Sequence, residues 1–150
     1  MSLIPSNIDV LLVEDNPIDI MMTKNALEEG GFDVRLHVAE DGETASAFIS
    51  ENCISTDSSL HCPDLILLDL NLPKKSGREV LREIRTHEST RSIPVIILTT
   101  SAEETDIQES YSQSANCYII KPIGLDDFKN AIKTIGEFWT QTAKLPPTPN

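Results

Sequence analysis

Short apolar runs alternate with stretches of helical spacing along this chain. Val10-Leu11-Leu12-Val13, Leu65-Ile66-Leu67-Leu68, Val95-Ile96-Ile97-Leu98 and Tyr118-Ile119-Ile120 are too short to form a helix face, and polar residues or prolines bound them. Such runs predict strands buried on both sides. Asp33 to Val38 instead alternates, with Val34, Leu36 and Val38 on one side and Arg35 and His37 on the other, as an edge strand does. The segments between them read as helices. Asn16-Pro17 opens the first as N-cap and N1 residue, with an apolar face of Ile18, Met22, Ala26 and Leu27 and a Gly30-Gly31 stop. The later helices carry Ala45, Phe48 and Ile49, then Val80, Leu81 and Ile84, then Ile107 and Tyr111. The last carries Leu125, Phe128, Ile132, Ile135 and Trp139.

Alternating strands and helices predict a parallel sheet with right-handed crossovers and helices on both faces. Five strands fit a flavodoxin-like (βα)5 three-layer sandwich of order 2-1-3-4-5. At 150 residues a single domain is expected. Its core covers about 8–142, a polar and turn-rich segment over 52–63 reads as a mobile surface loop, and 143–150 is a short tail.

Twenty-four acids against twelve Lys and Arg give a net charge of −12. That balance disfavours nucleic acid or an anionic membrane as a partner and suits a protein that holds a divalent cation. No basic region precedes an apolar stretch at the start, and no run nears membrane-span length. Cys53, Cys62 and Cys117 are odd in number and widely spaced, which reads as unpaired thiols in a reduced cytoplasmic protein. With His37, His61 and His87 they form no zinc spacing.

Chemistry enters at the strand ends. Glu14 and Asp15 end the first run, Asp69 the third, Thr99 the fourth and Lys121 the fifth, and in an open parallel sheet those ends share one crevice. A lone strand-end acid such as Asp69 could equally be the start of a turn. A complementary set at one edge is harder to dismiss as decoration. Three carboxylates brought together repel unless a cation joins them, and Mg2+ with retained waters suits so few oxygen ligands. A carboxylate can then attack phosphorus to give an acyl phosphate, whose oxygens the Lys121 ammonium and the Thr99 hydroxyl would neutralise.

Glu14-Asp15, Asp69, Thr99 and Lys121-Pro122, at these separations, resemble the receiver domains of two-component response regulators over roughly Ile8 to Thr142. Leu70-Asn71-Leu72-Pro73-Lys74-Lys75-Ser76-Gly77-Arg78-Glu79-Val80-Leu81 and the ending from Glu137-Phe138-Trp139 to Leu145-Pro146 are similar to the cyanobacterial phytochrome-partner branch. The resemblance implies that Asp69 accepts a phosphoryl group from a histidine kinase, of phytochrome type in this branch. It implies that Asp15, Asp69 and the Asn71 backbone carbonyl bind Mg2+ directly and that Glu14 acts through water. Thr99 and Tyr118 become a switch pair, and the Lys121-Pro122 peptide is expected cis. Three features depart from common receivers. Glu14 stands where Asp is commoner, Ser76 where an acid is frequent, and the 52–63 loop is long.

Because no DNA-binding or enzymatic segment follows residue 142, the output is expected to be a binding event, so the chain reads as a stand-alone regulator. It would not be an enzyme beyond assisting its own phosphorylation and dephosphorylation, and its downstream protein is unknown. A homodimer through the fourth and fifth helices and their intervening strand is expected, with Tyr118, Phe138 and Trp139 at the contact. The rival is a longer helix whose aromatics fold back on the core. Among rival functions, a haloacid-dehalogenase-like phosphatase usually carries a second Asp where Asn71 stands. An FMN carrier would place phosphate against Glu14-Asp15, and a pseudo-receiver generally lacks one of the five residues, all of which are present.

Overall fold

In the computed structural model, which describes residues 7–56 and 60–147, the four apolar runs and the alternating segment become five parallel strands. β1 (Ile8–Val13), β2 (Val34–Ala39), β3 (Leu65–Leu68), β4 (Val95–Thr99) and β5 (Cys117–Ile120) pair in the order β2-β1-β3-β4-β5. Register aligns Val13 with Leu68, Leu68 with Ile97, and Thr99 with Ile120. The strand ends that carry the polar residues are therefore level with one another. The fold is the flavodoxin-like sandwich that the alternation predicts.

Helices α1 (Pro17–Glu29), α2 (Gly42–Ile49), α3 (Gly77–Thr86), α4 (Glu104–Ser112) and α5 (Leu125–Glu137) flank the sheet. Because side chains alternate along a strand, the sheet feeds two cores. Leu11, Val13, Ile66, Leu68, Val95 and Ile97 meet Ala45, Ile49, Val80, Leu81 and Ile84 of α2 and α3. Val10, Leu12, Leu65, Leu67, Ile96 and Leu98 meet Ala26 and Leu27 of α1 and Phe128, Ile132 and Ile135 of α5.

Local signals set the helix ends. The Asn16 side chain accepts from the Ile18 and Asp19 amides at 2.9 and 3.2 Å, and Pro17 follows at N1. At the other end Gly31 takes φ +70, a left-handed conformation that glycine adopts without penalty. Gly77 opens α3 against the backbone of the preceding strand end. A Cβ there would collide with the Asp69 carbonyl oxygen and the Leu70 Cα.

Six expectations need correction. In α1 the apolar stripe is displaced: Ile18 is 58% exposed, and Thr23 is buried with its hydroxyl donating to the Asp19 carbonyl. Leu125 at the start of α5 is also exposed. α4 buries Asp106 and Ser110, whereas Tyr111 is half-exposed; the helix is held partly by polar contacts described below. Regular structure continues past α2 through a π-helical turn, Ser50–Ile54, closed by the Ser55 amide donating to the Ser50 carbonyl. Residues 57–59 of the expected loop lie outside the described residues. That turn returns the chain toward β3, bringing the Cys53 and Cys62 Cα atoms to 4.6 Å, and the two are joined as a disulfide. Cys117 is free. The reading of three unpaired thiols therefore fails for Cys53 and Cys62 and holds for Cys117. The Lys121-Pro122 peptide, finally, is trans. A prolyl bond favours the trans form by about 0.5–1 kcal/mol.

Candidate functional site

The crevice is built at the carboxyl ends of β1, β3, β4 and β5. The Glu14 amide donates to the Ala39 carbonyl at 3.0 Å and the Asp69 amide to the Val13 carbonyl at 3.1 Å, so both acids sit where the sheet ladder runs out. Glu14, Asp15 and Asp69 each offer a carboxylate oxygen within 4.8 Å of the others. Glu14 and Asp69 are buried and Asp15 is exposed.

Into this cluster reaches Lys121, itself 8% exposed. Its ammonium donates to Glu14 Oε1 at 2.5 Å, Asp19 Oδ2 at 2.8 Å and Asp69 Oδ2 at 3.0 Å. Burial alone would push this ammonium down. The hydrogen bonds from Asp19 and Glu14 and the charge of Asp69 prevail, so the lysine stays above its ordinary value and fully charged. Burial pushes the Glu14 carboxyl up to about 7, against the lowering effect of its bond to Lys121, and the Asp69 charge adds to the rise. A buried acid that resists ionisation beside two more carboxylates is a donor set suited to a hard divalent cation.

The other oxygen of Asp69 accepts from the Asn71 amide at 3.1 Å, which fixes the orientation of the carboxylate. Thr99 is fully buried, and its hydroxyl has no hydrogen-bond partner. An orphaned buried hydroxyl costs stability, and this one ends β4, whose neighbours β3 and β5 lead to Asp69 and Lys121.

Tyr118 lies half-buried against the α2 and α3 core. Its hydroxyl donates to the Ser101 carbonyl at 2.9 Å, and its amide donates to the Tyr111 hydroxyl at 3.1 Å. The Ser101 hydroxyl donates to Asp106 Oδ2 at 2.5 Å, and Arg78 pairs with Asp106 and Glu109. This linkage ties α3, the β4–α4 loop and α4 together.

The structure thus brings Glu14, Asp15, Asp69, Thr99 and Lys121 to one edge of the sheet. It does not bring together the residues expected at a dimer contact. Tyr118 faces one core, whereas Trp139 packs against the other and shares a groove with Phe138, Ile96, Cys117, Ile119 and Ile135. Phe138 is 47% exposed and meets Trp139 edge to face, with ring centroids 5.2 Å apart. Sequence reasoning missed Asp19 and the Arg78–Asp106–Ser101 linkage. Asp19 carried a usable signal: it is an acid in the first turn of the helix that opens directly after Glu14-Asp15.

The model of the response regulator receiver domain matches residues 10–133. The chain belongs to this family. The receiver is 42% identical over 137 residues to the response regulator Rcp1 of Synechocystis sp., covering 91% of this chain and 92% of that one. Among solved structures it is similar to the phosphorylated cyanobacterial phytochrome response regulator RcpA, with a TM-score of 0.87 and 42% identity over 95% of this chain and 100% of that one. The Mn2+-bound form of Rcp1 superposes with a TM-score of 0.85 at 40% identity, covering 93% and 99% of the two chains. The receiver is accordingly a two-component signalling module related to phytochrome response regulators. Among the described residues no helix is long and apolar enough to cross a membrane.

Proposed function

We propose that Asp69 is the phosphoacceptor of a response regulator that takes its phosphoryl group from a phytochrome-type histidine kinase. The observation that carries this reading is the Lys121 ammonium, 3.0 Å from an Asp69 oxygen, beside an acid cluster of metal-binding dimensions and the unpartnered Thr99 hydroxyl. An Asp69 oxygen attacks phosphorus, the bond from phosphorus to the histidine nitrogen breaks, and the imidazole leaves and takes up a proton. The Asn71 amide orients the carboxylate, and Lys121 and Thr99 donate to the transferred oxygens. Asp15, Asp69 and the Asn71 backbone carbonyl would hold Mg2+, with Glu14 acting through water; the cation supplies positive charge against the phosphoryl oxygens.

The kinase would dock on apolar residues beside the crevice. Ile18 and Met21 on α1, and Ile123 and Leu125 at the start of α5, are exposed. Both helices begin at the strand ends that form the mouth, and they pack on each other. The proposed output surface is α4, β5 and α5, read by a downstream protein or by a second copy of the chain, with Thr99 and Tyr118 as the switch.

The test is incubation with acetyl phosphate and Mg2+ followed by intact mass. One phosphoryl adduct on the wild type and none on Asp69→Asn supports the reading; an unmodified, folded wild type overturns it. For self-association, sedimentation that stays monomeric at high concentration with and without a phosphoryl mimic removes the dimer.

A further inference from the structure

The Lys121 ammonium has three protons and three carboxylate partners, Glu14, Asp19 and Asp69. Two of these belong to the cluster that could share an ion, and Asp19 does not. We infer that Asp19 is a positioning residue for phosphoryl transfer, a tether that holds the lysine at the crevice and competes with the incoming phosphoryl group for its charge. The inference rests on the phosphoacceptor role proposed for Asp69.

The tether is rigid. Asp19 occupies the first turn of α1, where its amide donates to the Asn16 cap at 3.2 Å and its carbonyl accepts from the Thr23 hydroxyl at 2.8 Å. Its side chain is 17% exposed, so the contact with the ammonium is largely screened from water. Glu14 and Asp69 would turn toward a bound divalent cation, whereas Asp19 lies outside that group and would be left to hold Lys121. The same charge has a cost. Asp15, Asp19 and Asp69 outnumber the one ammonium even without Glu14, and their negative charge repels an anionic phosphodonor entering the mouth. With Glu14 and Asp69 engaged by a cation, the bond that phosphoryl oxygens would compete for is the one to Asp19, which lies outside the group that could share the ion.

Asp19→Asn keeps the shape and removes the charge. In Mg2+, its affinity for trifluoroberyllate and its rate of phosphorylation by dilute acetyl phosphate should both rise about threefold or more. Its Mg2+ affinity, measured calorimetrically, should stay within about twofold of wild type. Asp19→Glu, which restores the charge, should return both anion readouts toward wild type. Trifluoroberyllate affinity and phosphorylation rate unchanged in Asp19→Asn would overturn the inference. So would a tenfold loss of Mg2+ affinity, which would make Asp19 a metal ligand. A folded wild type that takes no phosphoryl group refutes the Asp69 reading instead, so the two failures are distinguishable.

Discussion

Thr99 is a fully buried residue whose hydroxyl has no partner. Replacing an unsatisfied polar atom by a methyl group of similar size removes a desolvation cost. Thr99→Val is therefore expected to be as stable as wild type or about 1 kcal/mol more stable in denaturant titration, while phosphorylation no longer changes the environment of Tyr118 by NMR. A loss of stability of 2 kcal/mol or more would mean that the hydroxyl is satisfied in the folded protein. Glu14 gives a second prediction at this scale. Its pKa, raised by burial to about 7 from an ordinary 4.5, means that the folded state binds the proton more tightly than the unfolded one. That stability is fully present below about 4.5 and is lost as pH rises through 7. Without divalent ions, the melting temperature of wild type relative to Glu14→Gln should rise as pH is lowered from 8 to 5. Glu29, Asp41 and Glu83 have lowered pKa values and act in the opposite sense only at more acid pH. A gap that is flat across this window would remove the claim.

Among elements, the tight packing of α3 on the strand end that carries Asp69 gives the third prediction. The Cβ of Gly77→Ala would meet backbone, which cannot step aside as a side chain can. A loss of about 1–3 kcal/mol is expected, accompanied by weaker Mg2+ binding because the Asp69 carbonyl and the Leu70 backbone must shift. Full stability and unchanged metal affinity would contradict this. The elements also explain what was legible in the sequence. β1, β3 and β4 were plain because both faces are buried and nearly every residue is apolar, and strand ends bearing Glu14, Asp69 and Thr99 followed directly. α4 was less legible because its buried side carries Ser110 and Asp106, the latter held by Ser101 and Arg78, and hydrophobic spacing cannot register either. Cys53 and Cys62 were read as separate because their proximity depends on a π-helical turn with no composition signal. Asp19 escaped notice because a first-turn acid is ordinarily explained by the helix dipole.

For the whole molecule, the exposed apolar residues beside the crevice separate recognition from chemistry. Ile18→Arg and Met21→Arg should slow phosphoryl transfer from the kinase about tenfold or more, while the rate with acetyl phosphate stays within about twofold of wild type. Equal losses with both donors would mean that these residues disturb the site itself. Cys117 has a further use. It is the one free thiol in the chain and lies in the groove with Phe138 and Trp139, on the sheet face opposite Tyr118. A fluorinated tag attached there, with no cysteine removed elsewhere, turns this groove into a reporter: its resonance would register, in real time and without a partner present, whether an event at Asp69 crosses the sheet.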